Sequence, residues 1–455
     1  MKKMVSDADR TAIETLVRGP KFPEREFVRS GRSFAQVHAM AARFRATLGS
    51  GERATPVCLG AEDRAVIAAA LLASLGGGPE LLLPYGYSGR ALARMQQVTG
   101  FTTAVVDVDR DFPAGVQVVR PEPDCPADPA VLAKPDLKAG LVRIFTGGST
   151  GSPQVWAKTA ENIFAEALFL ARRFSITEQD CIVATVPPCH IYGFLFSIVL
   201  PLVSGATVVA DTPSFPGEII HTIHEQGATV LAAVPAHYRA LREKTIDDSR
   251  LRLAVSSAGM LGQAENEAFH TRNGVGVVEV YGSTETGGIA TRNRSVGEDF
   301  FTAFSTVGWK VVDDRLAVCS PYISPDLTLD DEGFFITADR VEPRGGDGFF
   351  LKGRADAVTK VGGKRVDLEE IRLLIREAAG VGDCVVTALP EPGGRGNLIV
   401  ALVQGRAVDT DVIKKMLAER LEPYARPRTL KVVDRIPVQK NGKYDRQAIA
   451  RLFSA

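Results

Sequence analysis

Nothing in the bulk composition of this chain points to a nucleic acid, a membrane or a metal cluster. Its 54 lysines and arginines are balanced by 54 aspartates and glutamates, so no net charge draws it to polyanions or acidic lipid. Cysteines are few, six in 455 residues, and scattered: Cys58, Cys125, Cys181, Cys189, Cys319 and Cys384. There is no C-x-x-C pair, and only Cys189 has a histidine beside it (His190). Neither a disulfide framework nor a zinc site is indicated; the thiols read as reduced, in a cytoplasmic protein. The basic start is followed by acids rather than an apolar stretch, so no signal peptide is expected. The longest apolar stretch, Ile191 to Val203, is interrupted by Gly193 and Pro201 and is too short to span a bilayer. No fixed-period repeat and no low-complexity tract is present.

What remains is the profile of a soluble globular protein, 45% hydrophobic and 24% charged, and long enough for two or three domains. Apolar strands alternate with helices through the first 300 residues. Strands are expected at Cys181–Val186, Ala206–Ala210, Thr229–Val234, Leu251–Ser256 and Val275–Val280. Helices are expected at Glu161–Phe174, Phe194–Leu202, Pro216–Gln226, Ala236–Lys244 and Gly262–Phe269. Such alternation predicts an α/β fold: a large N-terminal domain of mostly parallel sheets covered by helices. After about Phe300, short strands between turns predict a small antiparallel subdomain. From Ala357 onward a helix capped by Asp367, two strands and a second helix from Asp409 predict a separate α+β domain. The boundary is placed near Gly353–Asp356.

Five segments carry possible chemistry. In Ile144–Pro153 an apolar strand runs into Thr146-Gly147-Gly148-Ser149-Thr150-Gly151, where glycines allow positive φ, main-chain N–H groups form an anion nest and hydroxyls add donors. It reads as a polyphosphate cradle or a plain surface turn, and it is neither G-x-x-x-x-G-K-[ST] nor G-x-G-x-x-G. In Glu279–Gly287 another strand enters a glycine/hydroxyl turn. There Thr284 is a phosphate donor, Glu285 a Mg²⁺ ligand or a helix N-terminal acid, and Tyr281 a base-stacking ring. Asp339 follows a strand and suits ribose hydroxyls or a turn. Gly353–Ile371, with Arg354, Asp356, Lys360, Gly362, Gly363, Lys364 and Arg365, is a site or a charged hairpin. Lys443, in Pro437–Arg446, is a candidate cation or plain surface charge.

In this order the five resemble the adenylate-forming superfamily of acyl- and aryl-CoA synthetases, peptide-synthetase adenylation domains and beetle luciferases, from about residue 30 to the end. The resemblance implies ATP and Mg²⁺ as cofactors and two steps: a carboxylate attacks the α-phosphate to give acyl-AMP, and a thiol then displaces AMP. It assigns Thr146, Gly148, Ser149, Thr150 and Gly151 to the β/γ-phosphates, and Thr284 to the α-phosphate. Glu285 is assigned to the metal; Glu279, Tyr281 and Gly282 to the adenine side; Asp339 and Arg354 to the ribose. Lys443 bridges carboxylate and α-phosphate in the first step. It further implies a core at 1–353, a hinge at 354–356 with Asp356 as pivot, and a mobile domain at 357–455 whose Gly362–Gly363 loop lines the thiol tunnel after rotation.

Three departures stand out. Gln154 occupies a place where relatives often have lysine, which makes Lys158 the nearest substitute on the phosphates; Ala338 replaces a glycine; and Gly147 replaces a serine. The acid pocket is expected from Pro187–Gly193 (His190, Tyr192, Gly193) and Ser257-Ala258-Gly259. Amino-acid-activating relatives carry an aspartate in the first of these segments; none stands between Pro187 and Ser197, which favours a simple carboxylic acid. His190 either positions the carboxylate or is a buried structural histidine. The acceptor is CoA or the phosphopantetheine of an acyl carrier protein, in a monomer or homodimer; a catalytically idle nucleotide binder is the remaining alternative.

Overall fold

The computed structural model describes residues 5–49, 55–121, 132–146, 154–247, 249–355, 358–361, 364–390, 397–439 and 444–453, with main chain only at 358, 360 and 365. By compactness the chain forms two units, Met1–Gly308 with Val318–Phe335, and Trp309–Ala317 with Ile336–Ala455.

The first unit is an α/β assembly, as the alternation predicts. One sheet of six strands runs in the order Gln117–Val119, Thr103–Val105, Val57–Leu59, Leu81–Leu83, Gly140–Thr146, Gln154–Thr159. All its pairs are parallel except the last. The other contains Thr207–Val208, Cys181–Ala184, Val230–Ala233, Leu253–Ser256 and Val277–Ser283 in parallel, extended by the antiparallel Gly287–Asn293 and Phe301–Ala303. The middle strands of this parallel set are buried at every position, which is why they read as unbroken apolar runs instead of alternating ones.

Helix Arg64–Leu75 is buried along its whole length, the mark of an element packed on all sides. Its one charge, Arg64, donates to the carbonyls of Ala210 and Asp211 and to Thr212 Oγ1, so the guanidinium enters the core with partners. The helix expected at Phe194–Leu202 starts earlier, at Ile191, and carries a π-helical turn at Leu195–Val199. Gly193 is obligatory there: a Cβ on it would fall 2.2 Å from the Pro187 carbonyl oxygen.

In the second unit, strands Val381–Pro390 and Asn397–Gly405 pair antiparallel, and Thr429–Val433 adds in parallel. Helices Leu368–Arg376 and Thr410–Arg420 bury Ile371, Ile375, Ile413 and Leu417 against Cys384, Ala401 and Val403. The hairpin Phe335–Arg344/Gly348–Arg354, which the sequence placed with the N-terminal core, groups with this unit from Ile336 on. One tie is visible: Arg340 Nη1 donates to Asp367 Oδ2 at 2.8 Å. Asp367 is the expected N-cap, its Oδ1 accepting from Glu369 N at 2.9 Å and Glu370 N at 3.4 Å.

Asp367 therefore does two jobs with two oxygens. Asp367→Ala should lower the stability of this unit by about 1–2 kcal/mol, measured by denaturant titration, and Asp367→Asn should restore the capping part only.

Candidate active site

Parallel strands end on the same side, so the C-terminal ends of Cys181–Ala184, Val230–Ala233, Leu253–Ser256 and Val277–Ser283 form one rim. The register is continuous across them: Ala184 opposite Ala232, Ala233 opposite Ser256, and Ser256 opposite Glu279. The expected acid-pocket and nucleotide segments leave this rim: His190 from the first strand, Ser257–Gly259 from the third, Tyr281–Glu285 from the fourth.

The Tyr281–Glu285 segment is not an open turn but the tip of an antiparallel hairpin. Val277–Ser283 pairs with Gly287–Asn293, with a register shift between Tyr281 and Gly282. A Cβ on Gly282 would fall 2.3 Å from the Gly287 carbonyl oxygen, so only glycine permits the strands to close. Ser283 Oγ accepts from Thr286 N at 3.2 Å and bonds Thr286 Oγ1 at 2.8 Å, which shapes the tip. Glu285's carbonyl accepts from Ser324 N at 2.7 Å and Lys158 Nζ at 3.1 Å. These bonds employ the Glu285 main chain and leave its carboxylate for other work. Among the described residues no cluster of three or more metal-ligating side chains exists. A single carboxylate suits Mg²⁺, which takes one or two carboxylates and fills the rest of its shell with phosphate oxygens and water.

Tyr281, half-buried, packs its ring at 5.6 Å and 53° to Phe301. Glu279, expected on the adenine side, has a different role. It is 3% exposed, and its two oxygens accept from Arg292 Nε (3.0 Å) and Nη2 (3.0 Å), Arg294 Nη1 (2.7 Å) and Leu261 N (3.3 Å). A carboxylate offers about four acceptor positions, and all four are occupied. Glu279 anchors the strand and the Leu261 loop rather than facing a ligand.

Lys158 is a second correction. It lies four residues along the strand from Gln154, roughly 13 Å at strand rise, and is 1% exposed. Its Nζ donates to the carbonyls of Glu285 and Tyr322 (3.1 and 2.6 Å), so it replaces no phosphate contact. Burial lowers its pKa to about 8, against the attraction of Glu166, Glu285 and Asp326. Gln154 itself is exposed and stands opposite Thr146 in the ladder. Gly148, Ser149, Thr150 and Gly151 lie outside the described residues, as do Asp356, Gly362, Gly363 and Lys443.

Around the expected acid pocket, Tyr192 is buried and its hydroxyl is directed at the Val255 (2.9 Å) and Ala233 (3.2 Å) carbonyls. Burial raises its pKa well above that of an ordinary phenol, so it braces strand ends as a neutral hydroxyl. Ser257 Oγ donates to the Val280 carbonyl at 2.8 Å, and Ala258 holds a left-handed φ of 68°. Such a conformation costs a non-glycine residue about 1–2 kcal/mol and is commonly kept at ligand sites. His190 is half-buried at the start of helix Ile191–Phe194. Sequence reasoning missed His237, whose Nδ1 lies 2.6 Å from Thr185 Oγ1 at the same rim. Its position three residues beyond an expected strand end was the available signal.

In the second unit Asp339 and Arg354, two distant residues assigned to the same ribose, are cross-strand partners, with Nη1 to Oδ1 at 3.3 Å. The hairpin presents a carboxylate and a half-exposed guanidinium side by side, a donor–acceptor pair suited to a diol.

Comparison with known proteins gives a consistent picture. A family model described as AMP-binding enzyme matches residues 17–326, and one described as AMP-binding enzyme C-terminal domain matches residues 373–443. A sulfoacetate–CoA ligase from Cupriavidus necator is 26% identical over 75% of this chain and 75% of its own length. A human mitochondrial malonate–CoA ligase is 26% identical over 72% of this chain and 68% of its own. A p-hydroxybenzoic acid–AMP ligase from Mycobacterium tuberculosis is 28% identical over 68% of this chain and 48% of its own. Among solved structures, ATP-bound MatB from Rhodopseudomonas palustris superposes with a TM-score of 0.82 at 20% identity, covering 98% of this chain and 99% of that one.

If Glu279 is an anchor, Glu279→Gln should leave the buried Arg292 and the partly buried Arg294 short of charge and cost about 3 kcal/mol, read as a fall in melting temperature without nucleotide. A ligand-contacting glutamate would instead leave that temperature unchanged and weaken ATP binding alone.

Proposed function

Because the chain belongs to the AMP-binding enzyme family and is an AMP-forming acid–thiol ligase, we propose that it activates a simple acyl or aryl carboxylic acid with ATP and transfers it to CoA. The observation that carries this reading is the common rim, where His190, Ser257–Gly259 and Thr284–Glu285 leave neighbouring parallel strands.

In the first step a carboxylate oxygen attacks the α-phosphorus, the bond to the β,γ-diphosphate breaks, and pyrophosphate leaves. Thr284 donates to the α-phosphate, and Glu285 would hold a Mg²⁺, which when bound would offset charge on the phosphates. The loop from Thr146 to Gly151 grips the leaving pyrophosphate. Asp339 and Arg354 hold the ribose, and Lys443 neutralises charge between the two reacting anions. In the second step a thiolate attacks the acyl carbon, the acyl–phosphate bond breaks, and AMP leaves. A pivot at Asp356 withdraws Lys443 and brings the Gly362–Gly363 loop to the thiol's path.

Transfer to CoA draws on the relatives named as CoA ligases. A second reading, loading of a hydroxybenzoate-type acid onto an acyl carrier protein, draws on the p-hydroxybenzoic acid–AMP ligase. The absence of an aspartate from Pro187 to Ser197 supports an acid without an α-amine in both readings.

Pyrophosphate release should appear with at least one acid of a panel of aliphatic, dicarboxylic, sulfonated and hydroxylated aromatic acids. It should fall by about 10²–10³-fold in Lys443→Ala. Silence across the panel, or a variant equal to wild type, would refute the mechanism. Thioester formation with CoA or with a phosphopantetheinylated carrier then identifies the acceptor.

A further inference from the structure

Two buried opposite charges lie beneath the hairpin that carries Thr284 and Glu285. Lys158 is 1% and Glu166 3% exposed. Lys158 comes from strand Gln154–Thr159, and Glu166 from the following helix, Ala160–Arg173. Both are directed at main-chain atoms of the same turn. Lys158 Nζ donates to the Glu285 carbonyl at 3.1 Å, and Glu166 Oε1 accepts from Gly288 N at 2.8 Å. Gly287, with a φ of 70°, sits so close that a Cβ on it would fall 2.7 Å from Glu166 Oε2. The same strand and helix also grip the loop after Ser320. Lys158 Nζ donates to the Tyr322 carbonyl at 2.6 Å, Asn162 Nδ2 to the Pro321 carbonyl at 2.6 Å, and Ala157 N to Asp326 Oδ2 at 2.7 Å. That loop returns the contact, since Ser324 N donates to the Glu285 carbonyl at 2.7 Å.

The burial of two opposite charges is poorly explained by stability. Apolar residues of similar volume are often as stabilising or more so, because both charges must leave water. What the two side chains supply is direction. Glu285 O and Gly288 N flank Thr286 and Gly287, and each is hydrogen-bonded to one of the two buried side chains below. Strand Gln154–Thr159, from which Lys158 rises, is also the strand that closes the ladder with Thr146.

We propose that Lys158 and Glu166 are positioning residues for adenylation. They hold the main chain of the Thr284–Glu285 turn from beneath and tie it to strand Gln154–Thr159 and helix Ala160–Arg173. The proposal rests on the roles given above to Thr284 and Glu285. Neither charged side chain touches substrate.

The test removes both charges together, Lys158→Met with Glu166→Gln, so that no unpaired charge is left buried; Lys158→Arg with native Glu166 is the conservative companion. Hydrogen–deuterium exchange on the free enzyme should show faster exchange in peptides covering 283–288 and 322–326, with strand Leu253–Ser256 unchanged. The melting temperature should stay within about 4 °C of wild type. In pyrophosphate release the double variant should lose about 100-fold in kcat with little change in KM for ATP, the signature of a displaced reacting geometry. Adding Thr284→Ala to it should cost far less than Thr284→Ala costs wild type, because the two act on one element. Unchanged exchange at 283–288, or an additive triple variant, would overturn the proposal, as would a kcat loss that merely follows melting. A wild type silent with every acid, combined with faster exchange at 283–288 in the double variant, would instead refute the functional reading and leave the clamp standing.

Discussion

Parallel pairing of Cys181–Ala184, Val230–Ala233, Leu253–Ser256 and Val277–Ser283 is the constraint on which the site depends. A parallel ladder cannot be joined by tight turns; each strand must be followed by a crossover. All four chain exits therefore lie along one edge, and the residues just beyond them are brought together whatever their separation in sequence. The apolar runs inside the strands secure this register, since burial on both faces leaves no solvent face to slip toward. The hydroxyls of Tyr192 and Tyr238, both at 2.9 Å from the Val255 carbonyl, brace the same edge from within.

Against this apolar frame, the buried charges stand out as directional elements. Glu279 draws two arginines and one main-chain N–H onto a single carboxylate, and Lys158 and Glu166 reach opposite sides of one turn. Arg64 binds three acceptors of a loop distant in sequence. Each charge has at least one hydrogen-bond partner of known direction, and Glu279, Lys158 and Arg64 have several, which is how a low-dielectric interior tolerates them. The consequence is a rim whose main chain is held by hydrogen bonds from several directions.

Much of this was legible beforehand. The order of strands and helices from Cys181 to Val280 follows from periodicity, because a buried strand and an amphipathic helix each leave a local trace. The Asp367 cap was equally local. The pairing of Asp339 with Arg354 was anticipated only in function, two residues for one sugar, and their adjacency comes from ladder register. Roles for Lys158 and Glu279 were misjudged because a charged residue beside a glycine loop or an aromatic motif reads as ligand-facing. Depth inside the fold is a long-range property. Glu166 lies within the apolar stripe of Ile163, Ala167 and Leu170, a local hint that it faced inward.

The sequence by itself determined the α/β class, the family resemblance and the chemistry of the motifs, since these depend on residue type and short spacing. Tertiary structure alone decided which charges face the core. That choice depends on what packs above a residue, and for Lys158 the covering atoms come from Glu285 and Tyr322, well over a hundred residues away in the chain.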